Sequence, residues 1–357
     1  MGSVHYGLCY EVLDPSGLVW EVSRRMTGLR TQEEIVADTV EGGHGDPDSV
    51  RQVIEFLIGT GSVEDSGAAP PANLTDRDLE RYSRSAHWFS WIDQTPRSSP
   101  YSLQSRLKDS AVTILGVGGI GSAVAVSLAA SGVGRIHCVD GDTVELSNLN
   151  RQVLFDETDI GRPKVEAAAE RLRNINRDIE VTATYAMVSD PDVLEAAMSG
   201  ADLFIHCADR PKNIEFLSNE TAIRLKIPWI VGCYAGPMLC MATFIPGETA
   251  CYACLVNGDE RRLEAMGQAR IKLERTQGFN PVIAPTAQLV GHSVALEALN
   301  VLLGLKVQTA GRSLHRNFLD YEHQYYIDVT PQPDCPHCGD RAQARRPVGG
   351  TVQPALP

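Results

Sequence analysis

The period of the apolar positions changes along the chain, and the predicted element changes with it. Within residues 4–23, YGLCYEVLDPSGLVWEVS alternates apolar and polar positions around a Pro15-Ser16-Gly17 turn, which predicts a β-hairpin. TQEEIVADTVE and DPDSVRQVIEFLIGTG then space their apolar residues near i, i+3, i+4. They predict two short helices, the first capped by Thr31 and the second by Asp46 with Pro47 in its first turn. SVEDSGAAPPANLTD is rich in Pro, Ala and Gly and predicts a linker. From there to about residue 330, β-type runs alternate with helical ones, as in a parallel sheet covered by helices. The tail RAQARRPVGGTVQPALP has too few apolar residues to pack and is expected to lack order.

TILGVGGIGSAVAVSLAASG reads as strand, glycine turn and helix. In such a turn Gly116, Gly118, Gly119 and Gly121 let backbone amides approach a phosphate at a helix N-terminus, where the dipole favours negative charge. Asp140 follows at the end of the next β-type run, where an acid accepts from a ribose hydroxyl. That much suits NAD, FAD or ATP. The residues after it, VDGDTVELSNLNRQVLF, narrow the choice. Asn148, Arg151, Gln152 and Lys164 place two amides and two cations beside the nucleotide. They suit charge developing at the α-phosphate of a triphosphate, and a nicotinamide cofactor has no use for them. Asp209, at the end of a later strand, stands on the binding edge of such a sheet and is placed to hold magnesium.

Composition excludes several alternatives. The 357 residues are 43% hydrophobic and 22% charged, as in an ordinary globular protein of one or two domains. A net charge of −13 argues against nucleic acid as a partner. No apolar run approaches a membrane span and the N-terminus lacks signal-peptide features, so the expected location is cytoplasmic. Of nine cysteines, Cys9, Cys138, Cys207, Cys233 and Cys240 sit singly in strand-like runs and are expected to be buried free thiols. Cys251/Cys254 and Cys335/Cys338 form two CxxC pairs. Together they make a tetrahedral all-thiolate zinc site with no position left open for catalysis.

The string GVGGIGS…VDGDTVELSNLNRQ…GRPK…CAD…CYAC…CPHC resembles the ubiquitin-activating-enzyme-like adenylyltransferases, the ThiF/MoeB/MccB group, over roughly residues 78–340. The resemblance implies a Rossmann-like, mostly parallel α/β sheet with a four-cysteine zinc site. It implies ATP contacts at Gly116, Gly118, Gly119, Gly121, Asp140, Asp142, Asn148, Asn150, Arg151, Gln152 and Lys164, and a magnesium-linked acid at Asp209. RYSRS matches the family's early RYxRQ segment, with Ser85 in place of the usual Gln. By that match Arg84 reaches into the partner subunit's site, which implies a homodimer. Family members that form a thioester carry a cysteine in the crossover after Cys254. The segment LVNGDERRLEAMGQARIKLERTQGFNPVIAPT has none, so activation is expected to stop at an acyl-adenylate.

Residues 1–66 resemble the small winged-helix-like α+β domains that bind leader peptides in ribosomal peptide biosynthesis, where an extended peptide adds a strand to a hairpin edge. The expected organisation is a recognition domain at 1–66, a linker at 67–79, an adenylyltransferase domain at 80–340 and a tail at 341–357. The plan resembles the microcin C-type peptide adenylyltransferases, with a precursor peptide as substrate. Two alternatives are adenylation of the C-terminal Gly-Gly of a ubiquitin-like sulfur carrier, and a non-catalytic leader-binding scaffold. The intact Arg151, Lys164 and Asp209 count against the scaffold.

Overall fold

The structure, a computed structural model, describes residues 2–3, 8–9, 11–267 and 281–339; the tail at 341–357 lies outside them. The chain divides into two compact units, Met1–Lys108 and Asp109–Pro357.

The first unit opens with β1 (Gly2–Ser3) paired antiparallel with β2 (Leu8–Cys9). The predicted second hairpin arm, beyond the Pro-Ser-Gly turn, is instead the helix α1 (Leu18–Ser23). Gly17 turns in the left-handed region at φ 73°, and the Asp14 carboxylate accepts from the Trp20 amide at 2.9 Å. Leu18, Trp20 and Val22 read as alternation, but Leu18, Val19 and Val22 face the core while Trp20 is 69% exposed. The spacing i, i+1, i+4 is helical. The predicted helices are present as α2 (Gln32–Glu41) and α3 (Pro47–Gly59). Thr31 and Glu34 form a capping box on α2, and Asp46 accepts from the Asp48 and Ser49 amides ahead of α3. Ile35, Val36, Val50, Ile54 and Leu57 close with Val22 into one small core. The stretch expected as linker runs into α4 (Asp76–Ile92), capped by Thr75; α5 (Ser102–Asp109) follows, and the division between units comes only there.

The second unit is an eight-stranded sheet in the order β10-β9-β8-β7-β6-β3-β4-β5. Its parallel part comprises β3 (Ala111–Leu115), β4 (Arg135–Asp140), β5 (Glu180–Tyr185), β6 (Leu203–His206) and β7 (Trp229–Ala235). An antiparallel part, β8 (Met238–Phe244), β9 (Arg312–Asn317) and β10 (Gln324–Asp328), extends one side. Every residue of β3 and β6 is buried, as strands covered on both faces require. Trp229, Phe204 and Phe244 pack with Leu194 and Met198 of α8 (Pro191–Met198) and with Ile214 and Leu217 of α9 (Ile214–Leu225). On the chain, α6 (Gly119–Ser131) follows β3 and meets α11 (Ala284–Leu303) where a Cβ at Gly291 would press on Ala123 and the Ile120 carbonyl. The chain runs outward through β3, β4 and β5, then returns to place β6 on the other side of β3. That reversal leaves a crevice at the carboxyl ends of β3 and β6, where open α/β sheets bind ligands. Among the described residues, no helix is long and apolar enough to cross a membrane.

An ion pair holds α4 to α5: Lys108 Nζ donates to Asp78 Oδ1 at 3.0 Å, and the Asp78 side chain is fully buried. Burial opposes its charge, but the Thr75 amide, Lys108 and the Thr75 hydroxyl together hold its carboxyl below the ordinary carboxylate range. Lys108→Met is expected to cost about 3 kcal/mol in denaturant unfolding, because the carboxylate stays buried without its cation. A carboxyl lowered by folding stabilises above its unfolded value, ~4, and that contribution is lost as pH falls through the folded value. The Lys108→Met difference should therefore shrink on acidification.

Candidate active site

The crevice is built on a glycine turn. Gly116 leaves β3 at φ +88°, a conformation side chains resist, and a Cβ there would meet the Cys207 carbonyl that follows β6. A Cβ at Gly121 would run into the Gly116 carbonyl oxygen, so the first turn of α6 packs directly on the loop. Gly118 caps α6 without any side-chain hydrogen bond, which leaves the helix's first amides and its positive dipole end to a ligand.

Asp140 braces this turn. Its Oδ2 accepts from the Val117 amide at 2.8 Å and its Oδ1 from the Asp142 amide at 2.9 Å. Burial raises its carboxyl above the ordinary range, against the pull of Lys164 and the two amides. Lys164 begins α7 (Lys164–Ile175), nearly buried, and donates to Asp142 Oδ2 at 2.9 Å. The Lys164 amide donates back to the Asp142 carbonyl at 3.0 Å, so acid and cation are fixed together.

The amide-rich loop lies against the same turn. Arg151 donates from one guanidinium nitrogen to the Ser147 carbonyl (3.0 Å) and to Asn150 Oδ1 (2.9 Å), and its Cγ would touch a Cβ placed on Gly119. Gln152 is buried with its Nε2 beside Gly118, and its Oε1 has no hydrogen-bond partner among the described residues. A buried acceptor left unpaired costs about 1–3 kcal/mol, and a nucleotide donor would relieve it. Asn148 is turned inward: its Oδ1 accepts from the Glu145 amide at 3.2 Å, so it shapes the loop. Asn150 Nδ2 reaches the Val282 carbonyl at 3.4 Å. Asp209, exposed, stands two residues beyond Cys207 and so beside the glycine turn. Arg84 belongs to the other compact unit, exposed on α4.

Sequence reasoning missed Gln288. From the first turns of α11 its Nε2 donates to the Arg151 carbonyl at 2.8 Å and approaches the Gly119 carbonyl at 3.5 Å, clamping loop to helix. TAQLVGHS carries no motif that marks it; the signal is purely three-dimensional. A separate cavity of about 490 Å³, lined by Ile223, Trp229, Phe244 and Ile245 among others, contains none of the predicted nucleotide residues.

The four cysteines of the CxxC pairs converge, with all four Sγ atoms within 4.8 Å of one another. Cys251 Sγ is 3.9 Å from Cys254 Sγ and 3.7 Å from Cys335 Sγ, and Cys254 Sγ is 3.5 Å from Cys338 Sγ. Zn–S bonds of about 2.3 Å set sulfurs about 3.8 Å apart at the corners of a tetrahedron, so the set suits zinc. Cys251 caps α10 (Tyr252–Ala265), and the Gln332 amide donates to Cys254 Sγ at 3.5 Å. The site thus fastens residues 331–339 to α10, away from the glycine turn.

A glycine turn and an acid-braced helix N-terminus at the reversal point of a Rossmann-like sheet define a nucleotide-binding enzyme. The chain belongs to the ThiF family, whose profile matches residues 82–337; it is an ATP-dependent adenylyltransferase of that class. It is 32% identical to the sulfur carrier protein ThiS adenylyltransferase of Escherichia coli (strain K12), over 65% of this chain and 85% of the relative. It is 30% identical to the molybdopterin-synthase adenylyltransferase of the same organism, over 75% of this chain and 99% of the relative. The structure of E. coli MccB with ATP covers 92% of each chain at a TM-score of 0.72 and 24% identity.

The protein is expected to carry about one zinc per chain, measurable by metal analysis of the purified enzyme. Because a closed thiolate site contributes to folding itself, Cys335→Ser should lower thermal stability and zinc content together. A folded preparation without zinc would contradict this reading.

Proposed function

We propose that the protein adenylates a carboxyl or carboxamide of a ribosomally made precursor peptide, releasing pyrophosphate. The observation that carries the proposal is the reach of the fold. MccB covers 92% of this chain, whereas the molybdopterin-synthase relative, matched over 99% of its own length, covers 75%. That wider reach, beyond a family profile that begins only at residue 82, supports reading the N-terminal unit as part of an MccB-like plan.

In this reading the amides of the glycine turn and the α6 N-terminus receive ATP phosphates, and Asp140 accepts from the ribose. Gln152 Oε1 takes a donor from the nucleotide, and Asn148 and Asn150 keep the Arg151 loop in shape. Arg151 and Lys164 stabilise charge on the α-phosphate as the substrate oxygen attacks phosphorus and the bond to pyrophosphate breaks. Lys164 must then share its ammonium between Asp142 and the phosphate. Magnesium supplies charge neutralisation when bound; Asp209, exposed on the crevice edge, is the carboxylate to hold it together with the phosphates. Arg84 acts across a homodimer, and residues 1–66 capture the leader by strand addition.

A second reading, adenylation of a sulfur-carrier protein, rests on the ThiS adenylyltransferase likeness at 32% identity. The two separate by substrate dependence of ATP–pyrophosphate exchange: a short precursor peptide stimulates it in the first case, a small Gly-Gly-ending protein in the second.

Lys164→Ala is expected to lower exchange about 100-fold or more while changing peptide affinity less than about twofold. Loss of peptide binding in step with exchange would count against this division of roles. Arg84→Ala and Asp209→Ala should each be inactive alone, yet regain part of the activity as mixed subunits. Heterodimers that form without recovering activity would rule out the role of Arg84 across the dimer.

A further inference from the structure

One row of side chains crosses four strands on the antiparallel side of the sheet. Cys233 on β7 is the direct partner of Cys240 on β8, Cys240 of His315 on β9, and His315 of Tyr325 on β10. Cys240 Sγ lies 3.3 Å from His315 Nδ1, and His315 Nε2 lies 3.0 Å from Ser313 Oγ. The imidazole stacks on Tyr325 with centroids 4.9 Å apart and planes 1° from parallel. Directly opposed residues on antiparallel strands have Cα atoms roughly 4.5–5.5 Å apart, inside the range of about 4.4–6.8 Å that a disulfide spans.

The two thiols differ. Cys233, expected to be buried, is exposed, while Cys240 is half-buried. A hydrogen bond from Cys240 holds the Cys233 thiol below the ordinary thiol range. The same bond and burial push Cys240 up. Burial holds His315 below the usual imidazole range, with Asp259 opposing and Arg262 adding to the effect, so the ring is neutral and can accept the Cys240 proton at Nδ1. Burial pushes Cys138 and Cys207 up to about 12, and the CxxC thiols are gathered in the zinc set. Reactivity follows thiolate character and access, and among the described cysteines Cys233 is the exposed one.

We propose that Cys233 and Cys240 form a reversible cross-strand disulfide by exchange with a low-molecular-weight disulfide. The Cys233 thiolate attacks one sulfur of that disulfide; a new S–S bond forms as the old one breaks, and one half leaves as thiolate. Capping Cys233 removes the bond that most raises Cys240, which then gives its proton to His315 and attacks the Cys233 sulfur, expelling the second half. Two protein thiols are oxidised and one small disulfide is reduced to two thiols. β7 runs beside β6 with Val231 opposite His206, so Cys233 stands on the edge where Asp209 follows β6. A bulky group on Cys233 therefore sits beside the crevice; this last consequence rests on the nucleotide reading of that crevice, and the disulfide does not.

The test is incubation of the full zinc-loaded chain with glutathione disulfide, followed by intact mass and chymotryptic mapping, since cleavage after Tyr234 and Leu239 separates the two cysteines. A Cys233–Cys240 link with zinc retained is expected. Cys240→Ser should instead accumulate glutathione on Cys233, Cys233→Ser should show neither product, and His315→Gln should slow the second step about tenfold while sparing the first. Absence of the link, linkage confined to the zinc cysteines with metal release, or an unmodified Cys233 in Cys240→Ser would overturn the proposal. In Cys240→Ser the adduct should lower pyrophosphate exchange at least about tenfold, reversibly with reductant; unchanged exchange at full modification would overturn the placement beside the crevice. Exchange by the reduced enzyme is the control whose failure would count against adenylation and leave the disulfide standing.

Discussion

The carboxylate of Asp140 fixes the turn after β3 to the loop after β4, where the two paired strands end. It ends β4, holds the Val117 amide of the turn after β3, and holds the Asp142 amide of the loop that leads to Lys164. Placing a charge in this partly desolvated position is unfavourable, as its raised carboxyl shows, and only directed amides and a nearby ammonium make it tolerable. Because each oxygen is already committed to an amide, the acid cannot swing, and the turn it braces is rigid before any nucleotide arrives. Preorganisation of this kind is what lets fixed dipoles act on developing charge without reorganising first.

Much of this was legible in the sequence, and the reason is locality. The glycine turn, the Thr31 and Asp46 caps, the parallel strands and the paired cysteines each declare themselves within a few residues, because the physics that requires them acts over a few residues. The zinc set is the partial exception, legible across a long gap because two CxxC pairs complete one four-sulfur set. What failed was short or non-local. LVWEVS satisfies both a period of two and a helical stripe over six residues, and the chain takes the helical one, with Asp14 accepting from the Trp20 amide in its first turn. Gln288 had no signature because its partners, the Arg151 and Gly119 carbonyls, are distant in sequence. The sequence pattern puts Asn148 on the nucleotide side, but its hydrogen bond within the loop gives it a structural duty as well.

The two sides of the sheet do different work. On the parallel side, strands buried on both faces end in a crevice whose polar groups point at one place. On the antiparallel side, strands can leave one face partly open, and polar or reactive side chains such as Cys240 and His315 occupy positions that a fully covered strand would give to Val or Ile. The boundary between them, β7 against β8, is where the chain reverses after Ala235, and the sheet's chemistry changes there too.

The tetrathiolate set also has a topological effect. With a metal bound, linking Cys254 to Cys335 would close a ring of chain that contains α11, β9 and β10, whose two ends already lie with their sulfurs within 4.8 Å. A ring of that size restricts the unfolded ensemble by an amount comparable to a long-loop cross-link, on the order of 4 kcal/mol in the chain-entropy picture. Strands at the edge of a sheet ordinarily fray first. Here the chain a few residues beyond β10 is gathered at Cys335 against Cys251 and Cys254, so a metal bound by the four sulfurs would clasp the sheet's open margin.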